Sequence, residues 1–164
     1  METALRVVAN WPGAAGLQNL HPLIVHYPIA FLTSATVVYL AAAIVRRERW
    51  AWLGLWLLAL GALGATAAVW TGLRAGGSVM IAPSVRENIL ELHKRLMIIA
   101  WALSLLSLVW GVAGRPLPRR GGIVFLALLL VMSGVLARGA DYGGWMVYGY
   151  NAGGSLPQPI ELSR

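Results

Sequence analysis

The sequence predicts an all-α protein, an integral membrane four-helix bundle of up-down-up-down topology with both termini on the outer, periplasmic side. Composition is the first reason. Hydrophobic residues make up 59% of the 164 and charged residues 12%, and mean hydropathy is +0.70. A water-soluble domain needs about a quarter of its residues charged to keep its surface wet. The second reason is the grouping of the apolar residues. Pro28 to Val45, Ala51 to Leu73, Leu96 to Gly114 and Gly121 to Ala137 contain no Asp, Glu, Lys, Arg or His. Each is close to the ~20 residues with which a helix crosses a hydrocarbon core of roughly 30 Å. The third is the placement of arginine. Arg46, Arg47 and Arg49 crowd the connection after the first stretch, and Arg115, Arg119 and Arg120 the connection after the third. Dense positive charge in short loops marks the cytoplasmic side. Arg6, Arg74, Arg86, Lys94, Arg95, Arg138 and Arg164 lie on the other side, spread over two tails and a longer loop.

Residues 1–20 read as a retained extramembrane tail, because they carry one basic residue and no apolar core of signal-peptide length. Residues 21–139 form the four-transmembrane-helix domain, and 140–164 an outer-side C-terminal tail. In the first helix, Pro22 suits the first turn and Pro28 introduces a kink. The second presents Gly54, Gly61, Ala65, Ala68 and Gly72 on one stripe, where another helix or a flat macrocycle approaches closely. Ser84-Val-Arg-Glu87 has capping-box spacing and starts the third helix outside the membrane. The Gly-Gly pairs at Gly76, Gly121, Gly143 and Gly153 punctuate loops. Trp50, Trp52 and Trp110 fall at the inner interface and Trp11, Trp70 and Trp145 toward the outer one. Trp56 and Trp101 lie deeper, as packing residues.

Several chemistries are disfavoured. The cysteine count is zero, which removes disulfides, thiolate-bound clusters and covalent haem attachment. The net charge of +7 belongs to topology and lipid head groups rather than nucleic acid. The deep parts of the spans hold no ionisable relay for active transport. No Ser/His/Asp or paired-carboxylate arrangement is visible, so the chain reads as no enzyme, and Ser104 and Ser107 are expected to bond between helices.

Chemistry then rests on His21, His26 and His93, all at the outer side. Parallel first and third helices at diagonal corners stand roughly 11 to 14 Å apart when neighbouring axes are about 8 to 10 Å apart. Such a gap holds an iron porphyrin with an imidazole on each side, and His26 and His93 are the candidate axial pair. Arg86, two turns before His93, is placed to meet a propionate. Met97 and Ala100 follow His93 on its face, as Ala30 and Thr33 follow His26. The same residues also suit plain helix packing, with histidines that bond to a neighbour or to water.

The stretch His21-Pro-Leu-Ile-Val-His26-Tyr-Pro-Ile-Ala resembles the H-P-x-x-V-H-F-P-I-A opening of the DUF2231 family of bacterial four-helix membrane proteins. Gly143-Gly-Trp-Met-Val-Tyr148 is similar to that family's closing G-G-x-L-V-Y, and His93 stands where it tends to carry a histidine. The resemblance runs over about residues 20 to 154. It implies a b-type-cytochrome-like module, since members occur beside Rieske-type and c-type cytochrome domains. One departure is visible: the family pattern continues V-Y-x-H-G, and Tyr150 stands at the place of that histidine. His21, its conceivable partner at a second site, is left as a hydrogen-bonding residue toward a propionate or the 143 to 154 loop.

The expectation is a multi-pass protein of the bacterial inner membrane that binds haem b near the periplasmic face and transfers electrons. Arg86, Lys94, Arg95 and Arg138 would contact propionates or a periplasmic redox protein, and other membrane subunits would share the bilayer. The alternative is a structural subunit of a larger energy-converting complex, with no cofactor or with a chlorophyll-type pigment on one histidine.

Overall fold

The computed structural model describes residues 19–118 and 121–153. It has four helices long and apolar enough to cross a membrane: α1 (His21–Val45), α2 (Glu48–Ser78), α3 (Pro83–Gly114) and α4 (Gly122–Tyr150). Among the described residues there is no strand. Short connections force each helix to run antiparallel to the one before it, and α1 packs on α2 and α4 while α3 packs on the same two. The result is the expected all-α four-helix bundle, with α1 and α3 at opposite corners. Its end where α1 begins and α4 finishes is termed the histidine end, and the other the arginine end.

Helix boundaries follow local chemistry. Asn19 Oδ1 accepts the His21 amide at 3.1 Å, occupying one of the donors that a helix start leaves open. Pro28 has no amide to return to the Ile24 carbonyl, and α1 is interrupted one turn earlier, at Val25, between His21–Ile24 and His26–Val45. Arg46 ends α1 in the left-handed region at φ 51° and ψ 38°. Gly121, at φ 79°, opens α4 in a conformation that costs glycine little. Tyr39 donates its buried hydroxyl to the Pro116 carbonyl at 3.1 Å and so ties the α3–α4 connection to α1.

Three sequence expectations about elements are corrected. The residue before the first turn of α3 is Ala82, with Pro83 opening the helix and no side-chain cap. The Ser84–Glu87 box is therefore not the start; proline's fixed φ suits the first helical position. Arg86–Leu90 is π-helical before α-geometry resumes at Glu91. The pairs at Gly76 and Gly143 lie inside α2 and α4, so α4 passes residue 139 and continues to Tyr150. A glycine costs a helix about 1 kcal/mol, and here the space it leaves is taken by Lys94 at Gly76 and by His93 at Gly143. Ser104 and Ser107, both fully buried, donate within α3 to Trp101 and Leu103 carbonyls at 2.7 Å.

The principal core combines Leu32, Tyr39, Leu58, Phe125, Leu129 and Met132. Lipid supplies no hydrophobic drive between helices, so association depends on close packing and a few interhelical hydrogen bonds. The small-residue stripe of α2 serves that purpose. A methyl group on Gly61 would stand 2.5 Å from Leu32 Cδ2, and one on Gly54 2.9 Å from Tyr39 Cδ2. Thr36 and Ser133 hydroxyls meet at 2.8 Å between α1 and α4, and Trp101 Nε1 donates to Thr66 at 3.0 Å between α3 and α2. Outward faces remain apolar: Ile44 is 81% exposed, Trp56 67% and Ile123 86%. Trp56 is thus a lipid-facing residue rather than a packing one. A second, smaller core joins Ile81, Val85, Ile89 and Leu90 to Met146, at the histidine end.

Candidate functional site at the histidine end

The first turn of α1 lays His21 against α2. Its Nδ1 lies 3.2 Å from Thr71 Oγ1, and a methyl group on Gly72 would stand 2.8 Å from its Cε1. On the opposite hairpin, α3 lays His93 against α4. Its Nδ1 lies 2.8 Å from the Gly139 carbonyl, and a methyl group on Gly143 would stand 3.1 Å from its Cε1. Each hairpin thus repeats one device, an imidazole edge seated on a glycine of its partner helix. The two rings belong to α1 and α3, at opposite corners of the bundle and at the same end of it.

The partners fix the tautomers. A carbonyl only accepts, so His93 carries its hydrogen on Nδ1. The Thr71 hydroxyl has carbonyls of its own helix to donate to, Ala67 at 2.9 Å and Ala68 at 3.1 Å, so its oxygen is left to accept from His21 Nδ1–H. With the hydrogen on Nδ1, the Nε2 of each neutral ring keeps its lone pair. An Nδ1–H held by an oxygen is the arrangement that orients metal-bound histidine and raises its basicity.

His26 is placed elsewhere. It is exposed and shares its helical face with Ala30, Val37 and Ile44, all exposed. The interior of the same helix is lined by Leu32, Ala35 and Tyr39. The expected pair of His26 with His93 across the interior is therefore not formed. The α1 histidine that, like His93, is laid against a partner helix is His21.

The other expected residues also separate. Arg86 donates to the carbonyls of Gly76 and Val79, clamping the end of α2, so its guanidinium is committed to backbone rather than aimed at the histidines. Lys94 packs its stem on Gly76 and pairs with Glu91 at 2.7 Å. Arg138 pairs with Asp141 at 2.6 Å and lies 4.4 Å over the Tyr142 ring. Arg95 is exposed. Tyr150 sits beside Trp145, ring centroids 5.6 Å apart, against the smaller core. Met97 covers Gly139, and Ala100 is buried.

Among the described residues no three His, Cys, Asp or Glu gather as metal ligands. A bare ion held by protein alone needs about four ligands, which this pair does not supply. An iron porphyrin brings four nitrogens itself and takes two axial imidazoles. Two imidazoles are the donor chemistry such a group takes, and this end carries two, on α1 and α3, beside Gly72 and Gly143.

The fold defines a multi-pass membrane protein in contact with the lipid bilayer, with His21 and His93 each laid against a partner helix at one end of a four-helix bundle. A family model described as "Predicted membrane protein (DUF2231)" matches residues 17–155, and the chain belongs to that family. No curated protein and no solved structure matches it.

Proposed function

We propose that the protein is an electron-transfer subunit of the bacterial inner membrane, with one haem b held between His21 and His93. One observation carries this reading: both imidazoles are held at Nδ1 by an oxygen of the partner helix and retain Nε2 as a ligating atom. The haem, when bound, supplies a one-electron couple. Thr71 and Gly139 orient the two rings. The subunit relays electrons and performs no reaction alone. With the arginine-rich loops in the cytoplasm, the histidine end faces the periplasm and exposed Arg95 meets a soluble redox partner.

The test is a reduced-minus-oxidised visible spectrum of the detergent-purified protein expressed with haem precursor. A low-spin b-type signal is expected, absent in His21→Ala and in His93→Ala and retained in His26→Ala. A folded, colourless wild type overturns the reading in favour of a cofactor-free structural subunit. The observation that favours this second reading is the direct packing of the bundle through Gly54, Gly61 and the Thr36–Ser133 bond. A signal lost only in His26→Ala would also overturn the assignment.

A further inference from the structure

The opposite end of the bundle carries an independent feature. The turn between α1 and α2 exposes Arg46, Arg47 and Arg49, and the ion pairs among the described residues include none of them. Glu48 is the one carboxylate in that turn, and it accepts a hydrogen bond from Trp52 Nε1 at 3.3 Å. Beside the arginines an open groove of about 250 Å³ is lined by Arg49, Trp50 and Leu53. Leu53 lies three residues after Trp50 and four after Arg49, so its side chain neighbours both on the helix surface. Trp50 and Leu53 are 40% and 48% exposed.

The groove is therefore amphipathic along its length. A guanidinium stands at the rim, where the turn emerges, and apolar walls run from there along a helix that crosses the bilayer. Water satisfies the rim but not the walls, and a hydrocarbon chain satisfies the walls but not the rim. A molecule with an anionic head and an acyl chain satisfies both. The three arginines add about 1 kcal/mol each toward an anionic surface, and they repel the ammonium of a zwitterionic head group.

We propose that this groove binds an anionic phospholipid, its phosphate on Arg49 and the first part of an acyl chain against Trp50 and Leu53. The site is independent of the histidine pair.

Native mass spectrometry of the detergent-purified protein, titrated with phosphatidylglycerol or with phosphatidylcholine of the same chains, tests this. Phosphatidylglycerol should bind more tightly than phosphatidylcholine. Arg49→Gln should weaken phosphatidylglycerol about five-fold, the factor that corresponds to ~1 kcal/mol, and weaken phosphatidylcholine, whose phosphate is offset by an ammonium, by less. Trp50→Ala should weaken both lipids. Arg138→Gln, at the other end, should change neither. Equal affinities of wild type for the two lipids overturn the proposal, as does an unchanged Arg49→Gln variant. An equal loss in Arg138→Gln would reduce the effect to net charge. Displacement of phosphatidylglycerol by millimolar inorganic phosphate would reduce the site to an anion contact and overturn it as well. Arg49 is exposed, so the variant is expected to fold, and unchanged far-ultraviolet circular dichroism verifies it.

Discussion

His93 on α3 donates its Nδ1–H to the carbonyl of Gly139 on α4, 2.8 Å away, and Gly143 one turn later lies beneath the same ring. His21 stands in the matching relation to Thr71 and Gly72 of α2. At Gly72 the imidazole edge occupies the volume a side chain would take, and at Gly143 a methyl group would push the ring back by a few tenths of an ångström. The hydrogen bond and the seat together leave one ring nitrogen free on each side of the bundle.

Gly72→Val puts branched carbon where His21 Cε1 lies, within 2.8 Å of the first added atom. The ring must leave Thr71, and bound haem is expected to fall several-fold while helicity is retained. Gly77→Ala is the control, because its added methyl meets nothing within 4 Å. It should keep the full haem complement and gain up to about 1 kcal/mol from helix propensity. Haem-to-protein absorbance ratios of the two purified variants check this.

Thr36→Val removes the 2.8 Å bond to Ser133 inside the bundle. Interhelical hydrogen bonds in membrane proteins are worth roughly 0.6 to 2 kcal/mol, and a loss in that range is expected. A double-mutant cycle with Ser133→Ala, read by reversible unfolding in mixed micelles, isolates the pair. A coupling energy of zero would show that the two hydroxyls act separately.

Arg86→Gln withdraws the donors that hold the Gly76 and Val79 carbonyls. Hydrogen bonds from a charged donor contribute about 1.5 to 3 kcal/mol. Amide exchange is expected to speed up through residues 76–82 with little change in the principal core. The haem signal should persist, because the guanidinium faces backbone and not the histidine pair. Loss of haem with normal exchange would instead return Arg86 to the propionate role.

Tyr39→Phe keeps the ring packed edge-on against Phe125, centroids 5.1 Å apart, and deletes only the donor to Pro116. A buried carbonyl left without its partner costs about 1 to 3 kcal/mol. The expected outcome is a lower unfolding midpoint and faster proteolysis near residues 115–121. An unchanged midpoint would indicate that another donor replaces the hydroxyl.

The four spans were legible because long runs free of charge have one stable use in a bilayer, and short loops leave one simple topology. The azimuth of each helix was not. Along α1 the inward Leu32 and Tyr39 and the outward Val37 and Ile44 are equally apolar, so no contrast in polarity told which side of the helix His26 occupies. The diagonal placement of the first and third helices pointed to His26, whereas His21, in the turn before the break at Val25, is the histidine laid against α2. The extension of α4 was hidden for a related reason. Gly143-Gly144 reads as a loop until the imidazole that fills the first glycine's seat is known. Thr36 and Ser133 were missed as a pair because a hydroxyl has little sequence signature, and Ser104 and Ser107 satisfy themselves on their own helix. His93 lies on α3 at the end of the bundle where α1 begins, and its partner there is the Gly139 carbonyl.

The smaller core of Ile81, Val85, Ile89, Leu90 and Met146 shares no residue with the principal one. It binds the beginning of α3, the α2–α3 connection and the end of α4 into a unit of their own, tied to α2 by Arg86. Local opening free energies track such cooperative units. The protein therefore has two melting thresholds rather than one: the rim is expected to breathe while the spans stay shut. Exchange-rate maps should divide between residues 79–90 and the helices beneath them, and the histidine pair lies next to that seam.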